Sequence, residues 1–223
     1  MPQIDAYENG TPCWADIGTP DVAAAATFYG ELLGWDVEIG PAEMGHYSMA
    51  MVKGQPVAAL ADQQQPGMVF WATYFAVDSV DETVAKATTA GGTVLLEPMD
   101  VMTFGRMAVL ADPAGAPLSL WQAGDHQGAG LTGEPGTLCW HELTTRAVDE
   151  SIAFLGATFG LTAKKIDMSG TDYYELQLPN GTTVAGLMPM VGDMWPPEIP
   201  NHWMIYFAVD DADATAARCT DLG

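Results

Sequence analysis

The stretch YFAVDSVDETVAKATTAG, residues 74–91, recurs as YFAVDDADATAARCTDLG at residues 206–223. The first five letters are identical, and matching residues continue through the rest of each stretch. Upstream, at a spacing of 126 residues, a further set of positions also matches: Thr11, Cys13, Trp14, Thr19, Phe28, Gly34 and Tyr47 meet Thr137, Cys139, Trp140, Thr145, Phe154, Gly160 and Tyr173. The spacing changes within the proline-rich GDMWPPEIP, where a loop accepts insertions cheaply. The sequence therefore predicts an internal duplication, with Trp14 to Gly91 repeated from Trp140 to Gly223.

Each copy divides into two units of similar pattern. In the first unit, the alternating CWADIGT predicts a strand, Thr19-Pro20 predicts the start of a helix, and Gly34 predicts its end. YSMAMV and PVAAL then predict a hairpin. In the second unit, TYFAVD predicts a strand, a helix follows, and TVLLEP, RMAVLAD and PLSLWQ predict three more strands. The expected fold is α+β, with curved mixed sheets whose free faces form cups.

The second copy lacks a counterpart of residues 92–121, which in the first copy predict three strands. We expect a first domain at 1–125 and a second, C-terminally incomplete domain at 126–223, joined through the glycine-rich segment 122–136. A natural chain is expected to continue past Gly223, or a neighbouring chain to supply the strands, because proteins avoid an open sheet edge.

Charge restricts the partners of this chain. The 29 acidic residues against seven basic ones give a formal net charge of −22, which repels nucleic acid and anionic membranes and favours cationic ligands. No apolar run approaches the ~20 residues of a membrane span, and MPQIDAYENG has no signal-peptide pattern. We expect a cytoplasmic protein, with a homodimer left open.

Three motifs carry a family resemblance. TPD…FYGELLGW, FAVDSVD and GR…DPAG resemble the vicinal oxygen chelate superfamily of glyoxalases, bleomycin-resistance proteins and extradiol dioxygenases. GTPCW, GTLCW, NHW and YFAVDDADATAA are similar to the actinobacterial tandem two-domain glyoxalase-like proteins. The resemblance covers nearly the whole chain and implies paired βαβββ modules, each pair forming a cup. In metal-dependent members the ligands lie on the first and last strands of the modules.

None of the positions that this resemblance assigns to metal ligands carries a normal ligand side chain. They are occupied by Trp14, Ala72, Ser119, Trp140 and Met204. The four histidines, at 46, 126, 141 and 202, fall elsewhere. We therefore expect no metal and no cofactor.

Strand alternation predicts what lines the cups instead. If Trp14 faces the first cup, so does Asp16, and the duplicate gives Trp140 with Glu142. The same alternation adds four more candidate lining residues: Tyr74, Ser119, Trp121 and Tyr206. Indoles and phenols suit a planar aromatic ligand. We also expect Arg106 to bind ligand or to pair with Asp16.

A structural interpretation competes with this site. Tryptophans at strand starts are more often core residues, and an acid on a strand can cap a loop. Tyr47 and Tyr173 are interpreted as packing residues, although either could rim a pocket.

Two functions follow from the candidate site. One is a metal-free module that binds a small aromatic, neutral or cationic, metabolite or antibiotic for sequestration. The other is a metal-independent enzyme in which Asp16 or Glu142 is the general acid or base of an isomerase, cyclase or hydroxylase-type step. The alternative is a metal-dependent glyoxalase or dioxygenase-type lyase or oxygenase with relocated ligands.

Overall fold

The computed structural model describes residues 4–63, 67, 69–168 and 170–223. The strands of this part of the chain are β1 Pro12–Thr19, β2 Asp36–Val37, β3 Ser48–Val52, β4 Gln55–Asp62, β5 Trp71–Ala76, β6 Thr93–Val101, β7 Gly105–Ala111, β8 Pro117–Ala123, β9 Leu138–Thr145, β10 Thr162–Met168, β11 Thr171–Gln177, β12 Thr183–Pro189 and β13 His202–Phe207. The helices are α1 Val22–Leu33, α2 Val80–Thr89, α3 Val148–Phe159 and α4 Ala212–Leu222. A short 3-10 helix covers Ala42–Met44.

The first copy forms one mixed sheet of eight strands, in the order β2-β3-β4-β1-β5-β8-β7-β6. Each half of this sheet is a strand, a helix and three further strands; the sequence predicts this order, except that it misses the two-residue strand β2 of the first half. The first strand of each half lies parallel to the last, and β1 and β5 join the halves in antiparallel pairing. The α+β class with curved mixed sheets is confirmed.

The second copy repeats the first five positions of this arrangement. Its described strands form a sheet in the order β10-β11-β12-β9-β13, with β9 parallel to β12 and antiparallel to β13. Strand β13 therefore occupies the place of β5 and forms the edge of the second sheet.

Local sequence signals determine where the helices begin and end. Helix α1 starts after Asp21, whose carboxylate accepts a hydrogen bond from the Ala24 N–H, so the predicted start at Thr19-Pro20 is wrong by two residues. Thr19 instead completes β1. The predicted end at Gly34 is confirmed, because this residue adopts φ 73° and its N–H bonds to the Gly30 carbonyl.

The hydrophobic core is shared between the copies. Phe75 of β5 stacks on Phe159 of α3 at 4.8 Å between ring centroids, within a buried cluster that draws side chains from both sheets. In a second contact between the copies, Trp35 and Trp71 of the first copy meet Phe207 of the second. Each copy therefore completes its packing against the other.

The segment that joins the two sheets, residues 124–137, is called the connector below. Its central residues 128–131 are buried. The Ala129 N–H bonds to the Cys13 carbonyl on β1, and the Gly136 N–H bonds to the Ala208 carbonyl just after β13. The glycine-rich composition predicts a linker between the copies, and these backbone bonds fix the connector to both of them. Within the described ranges, no helix is long and apolar enough to cross a membrane.

Candidate functional site

The concave face of the first sheet holds a cavity of about 440 Å³. Aromatic rings, methionines and a single carboxylate line it: Trp14, Asp16, Pro41, Met44, Tyr47, Met49, Tyr74, Val101, Met102, Phe104, Met107, Trp121 and His126. Four of these residues are ones that strand alternation predicts to face the first cup: Trp14, Asp16, Tyr74 and Trp121. The cavity is therefore mainly apolar, with a few polar groups in fixed positions.

Strand register brings these side chains together. Trp14 on β1 lies opposite Tyr74 on β5, and Asp16 follows two residues after Trp14 on the same face. Strand β8 pairs with β5 so that Ser119 lies beside Tyr74. Ser119 is buried and is not among the residues that line the cavity.

A chain of hydrogen bonds ends on Asp16. The Trp14 indole Nε1 donates to the Tyr47 hydroxyl at 3.0 Å. Tyr47 donates in turn to Asp16 Oδ2 at 3.2 Å, and Tyr74 donates to the same oxygen at 2.8 Å. Both phenols therefore orient one carboxylate on the wall of an apolar cavity.

The surroundings of Asp16 move its pKa toward neutrality. Burial raises this pKa to about 6, although the hydrogen bonds from Tyr74 and Tyr47 lower it. Burial, reinforced by the charge of Asp16, also raises the pKa of each phenol well above its usual value. The phenols thus remain donors at physiological pH, whereas the carboxylate gains and loses a proton near that range.

The second copy contains the same four-residue network. Trp140 Nε1 donates to the Tyr173 hydroxyl at 2.8 Å, and Tyr173 donates to Glu142 Oε2 at 2.8 Å. Tyr206 on the edge strand β13 donates to Glu142 Oε1 at 3.0 Å. Burial, followed by the charge of Glu142, raises the pKa of Tyr206 to about 12.

A close backbone approach makes room for this second network. An added Cβ at Gly186 on β12 would overlap the Tyr173 hydroxyl oxygen. Gly186 lies opposite Glu142 in the sheet, at the position that Ala59 occupies opposite Asp16 in the first copy. A glycine is therefore required there for the Tyr173 phenol to reach Glu142.

The structure corrects one expectation about an individual residue and decides another that was open. Arg106 is not a partner of Asp16: its guanidinium bonds to Asp81 at 2.9 and 3.0 Å and to Asp100 at 2.8 Å. Asp100 lies directly across the β6–β7 ladder, so nearby carboxylates take the donors of Arg106, and the donors to Asp16 are two phenols that both reach Oδ2. Tyr47, for which packing and rimming a pocket were both open, lines the cavity. The sequence feature that could indicate this role is the match between Tyr47 and Tyr173 in the repeat.

The donor set does not fit a metal ion. Among the residues that the structure describes, no group of three or more His, Cys, Asp or Glu side chains could hold one. His141 is a buried residue of β9 that bonds to Thr73 of β5, and its burial lowers the pKa of the imidazole to about 4. His126 is in the cavity wall, but as a single imidazole edge-on to Trp14 at 4.5 Å. No step through a metal follows from these residues.

Comparison with known proteins agrees with the fold. The model of the Glyoxalase-like domain family matches residues 14–121. "Putative glyoxylase CFP32" of Mycobacterium tuberculosis is 42% identical over 232 residues, which cover 100% of this chain and 86% of that protein. "Anthracycline biosynthesis protein DnrV" of Streptomyces peucetius is 38% identical over 235 residues, covering 97% of this chain and 83% of that protein.

A solved structure extends the likeness to three dimensions. The Mn(II)-bound glyoxalase from Novosphingobium aromaticivorans aligns with a TM-score of 0.64 at 16% identity, covering 96% of this chain and 69% of that one. Such a low identity shows the fold alone. CFP32 matches the whole chain and DnrV matches 97% of it. The chain therefore belongs to the glyoxalase-like family.

Proposed function

We propose that this protein binds a planar aromatic small molecule in the cavity of its first copy, without a metal, for sequestration or for acid/base-assisted conversion. The observation that carries the proposal is an apolar cavity of about 440 Å³ with one oriented carboxylate on its wall. Cavities of about 300–1,000 Å³ with few polar groups are typical of small-molecule sites.

The lining favours flat apolar rings. Trp14 and Trp121 offer rigid indole surfaces, and both are almost fully buried in the wall. Met44 and Met102, which are 43% and 57% exposed, add flexible apolar side chains to the lining. Thioethers adapt to irregular shapes and make favourable contacts with aromatic rings. A planar ring system is therefore complementary to both parts of the cavity.

The named relatives suggest the ligand class. DnrV is named for anthracycline biosynthesis, so we propose a polycyclic aromatic metabolite or antibiotic as the ligand. The net charge of −22 favours a cationic form of it. In a conversion, Asp16 would act as the general acid or base, because its pKa of about 6 allows either role near neutral pH.

Fluorescence anisotropy of fused-ring probes tests the binding. We expect 9-aminoacridine or 9-anthracenemethanol to bind saturably, with a Kd in the low micromolar range or below, about −8 kcal/mol. Trp14→Leu is expected to weaken this binding by about tenfold or more. Trp140→Leu, which removes an indole from the equivalent strand position, provides the matched comparison, and its effect is expected to be much smaller.

Two outcomes would contradict the proposal: no saturable binding across the probes, or equal weakening by Trp14→Leu and Trp140→Leu. Sequestration and conversion are then separated by mass spectrometry of a bound polycyclic compound after prolonged incubation. Recovery of the unchanged compound supports sequestration. A changed mass or chromatographic retention that requires Asp16 supports conversion.

A further inference from the structure

The two copies use the same four residue positions but distribute the hydrogen bonds on the acid differently. In the second copy, Tyr173 and Tyr206 each donate to a different oxygen of Glu142. In the first copy, Tyr47 and Tyr74 both donate to Oδ2 of Asp16. Within the described residues, Oδ1 of Asp16 has no hydrogen-bond partner.

Burial follows the same difference. Glu142 is only 5% exposed, although the second sheet ends at the edge strand β13. Asp16 keeps more exposure, even though the larger first sheet curves around it, because it borders the cavity. The acid that is satisfied by protein is closed off, and the acid with an unused oxygen faces the cavity.

The neighbours of the two acids match their lengths. Glu142 is one methylene longer than Asp16 and lies opposite Gly186, whose missing Cβ lets the Tyr173 phenol approach the sheet. Asp16 lies opposite Ala59, which is completely buried. A longer acid beside a smaller neighbour spans both phenols, whereas a shorter acid beside an alanine meets them with one oxygen.

The indole and phenol donors around the first cavity are already engaged, whereas Nε2 of His126 is a buried wall atom without a hydrogen-bond partner among the described residues. Trp14 Nε1 donates to Tyr47, and Trp121 Nε1 donates to the backbone carbonyl of His126 at 2.8 Å. Both phenols donate to Asp16. The described wall therefore presents an unused acceptor on Asp16, while its indole and phenol donors are occupied.

We propose that Oδ1 of Asp16 selects ligands that carry a hydrogen-bond donor, a protonated amine or a hydroxyl, and that the one-methylene difference between Asp16 and Glu142 confines this ligand site to the first copy. This inference rests on the proposed function and specifies its ligand class. A carboxylate on the ligand is rejected, because it would face Asp16 with no donor between the two negative groups.

Three probes of similar ring size test the selectivity on the unmodified chain at pH 7.5. They are 9-aminoacridine, a cation with N–H donors, 9-anthracenemethanol, a neutral donor, and 9-anthracenecarboxylate, an anion. We expect 9-aminoacridine to bind most tightly and the carboxylate to bind about 100-fold more weakly or worse, a difference of about 2.7 kcal/mol. Equal affinity of the cation and the anion would overturn the inference.

Asp16→Glu tests the length of the side chain while keeping its charge. We expect it to weaken 9-aminoacridine binding by about tenfold or more, because the longer carboxylate reaches both phenols as Glu142 does. Asp16→Glu combined with Ala59→Gly reproduces the second copy and is expected to weaken binding at least as much. Asp172→Glu, an exposed acid on β11, controls for an added methylene and should leave the Kd within about twofold.

The outcomes separate the inference from the proposed function. Wild-type affinity in both Asp16→Glu variants, with far-UV circular dichroism unchanged, overturns the inference and leaves the proposed function standing. Failure of all three probes to bind the unmodified chain overturns both. If Asp16→Glu alone does not fold, the double variant and the selectivity of the unmodified chain decide the outcome.

Discussion

At the scale of single residues, Asp16 is controlled by opposing influences. Burial disfavours its charge, and the two phenols that donate to Oδ2 favour it. The resulting pKa of about 6 leaves the carboxylate mostly ionised at neutral pH but ready to take up a proton. Removing one influence at a time should therefore shift this pKa in a known direction.

Tyr74→Phe removes the shorter of the two hydrogen bonds to Asp16. We expect the pKa of Asp16 to rise by about one unit, because a donor to the charged form is lost while the burial remains. Carboxyl-carbon NMR of aspartate-labelled protein measures this pKa directly. Tyr206→Phe, the equivalent change in the second copy, is the control. A fall in the pKa of Asp16 on Tyr74→Phe would contradict the argument.

Asp16→Asn should change how stability depends on pH. The pKa of Asp16 is about 6 in the folded chain against 3.8 as the ordinary value, so the folded state binds the proton more tightly. The contribution of this carboxyl to the free energy of unfolding is fully present below pH 3.8 and is lost as the pH rises through about 6. Asp16→Asn lacks this loss. The difference in free energy of unfolding between Asp16→Asn and wild type is therefore expected to shift in favour of the variant by about 1 to 3 kcal/mol from pH 4 to pH 7. Urea unfolding at both pH values measures the difference, and parallel pH profiles would refute it.

The residues of the site differ in how well the sequence predicts them. Alternation along regular strands selects Trp14, Asp16, Tyr74 and Trp121, because a period of two fixes which side chains share a face. Tyr47 lies just before β3, where no such period applies. The partners of Arg106 depend on the register between β6 and β7, which the pattern of one strand does not contain.

At the scale of elements, the second network depends on one position of β12 that has no side chain. Gly186 is the residue whose Cβ would overlap the Tyr173 hydroxyl. This tight contact sits in the middle of a strand, where glycine otherwise weakens a sheet. The position is therefore sensitive to the smallest possible addition.

Gly186→Ala is expected to lower the free energy of unfolding by about 1 to 3 kcal/mol, because the methyl group displaces Tyr173 from Glu142. Chemical denaturation measures the loss. In a Tyr173→Ala background the same change should cost much less, since the clashing phenol is gone. An equal cost in both backgrounds would show that the clash is not the cause.

The elements themselves are mostly predictable from local signals. The glycine that ends α1 and the alternation in β1 are visible in the sequence. The true start of α1 is missed because Thr19, Pro20 and Asp21 are all suitable starting residues. Because the backbone is extended through Thr19, the helix begins after Asp21 and not after Thr19.

At the scale of the whole molecule, the copies share their core and are expected to unfold together. Phe154 of α3 is 1% exposed and belongs to the cluster that combines both sheets. The repeat in the sequence predicts two similar halves, but it contains no information on how they face each other. That arrangement arises from long-range packing between α2 and α3 and between β5 and α3.

Phe154→Ala should therefore destabilise both copies at once, by about 3 to 5 kcal/mol. We expect a single transition, at the same denaturant concentration by circular dichroism and by tryptophan fluorescence. Met194→Ala, at a side chain that is 79% exposed, should change the stability by about 0.5 kcal/mol or less. Two separate transitions in Phe154→Ala would mean that each copy has an independent core.

The connector has a consequence for how the two halves communicate. His126 lies in the cavity wall. Further along the connector, the Ala129 amide bonds to the first copy and the Gly136 amide bonds to the second. A ligand that immobilises this wall should slow hydrogen exchange at both amides, while the Gly181 amide in the β11–β12 turn, which does not line the cavity, exchanges as before. Slowing confined to Ala129 would limit the signal to one half. If exchange at Gly136 slows as well, ligand binding in the cavity of the first copy also reduces backbone motion where the connector meets the second copy.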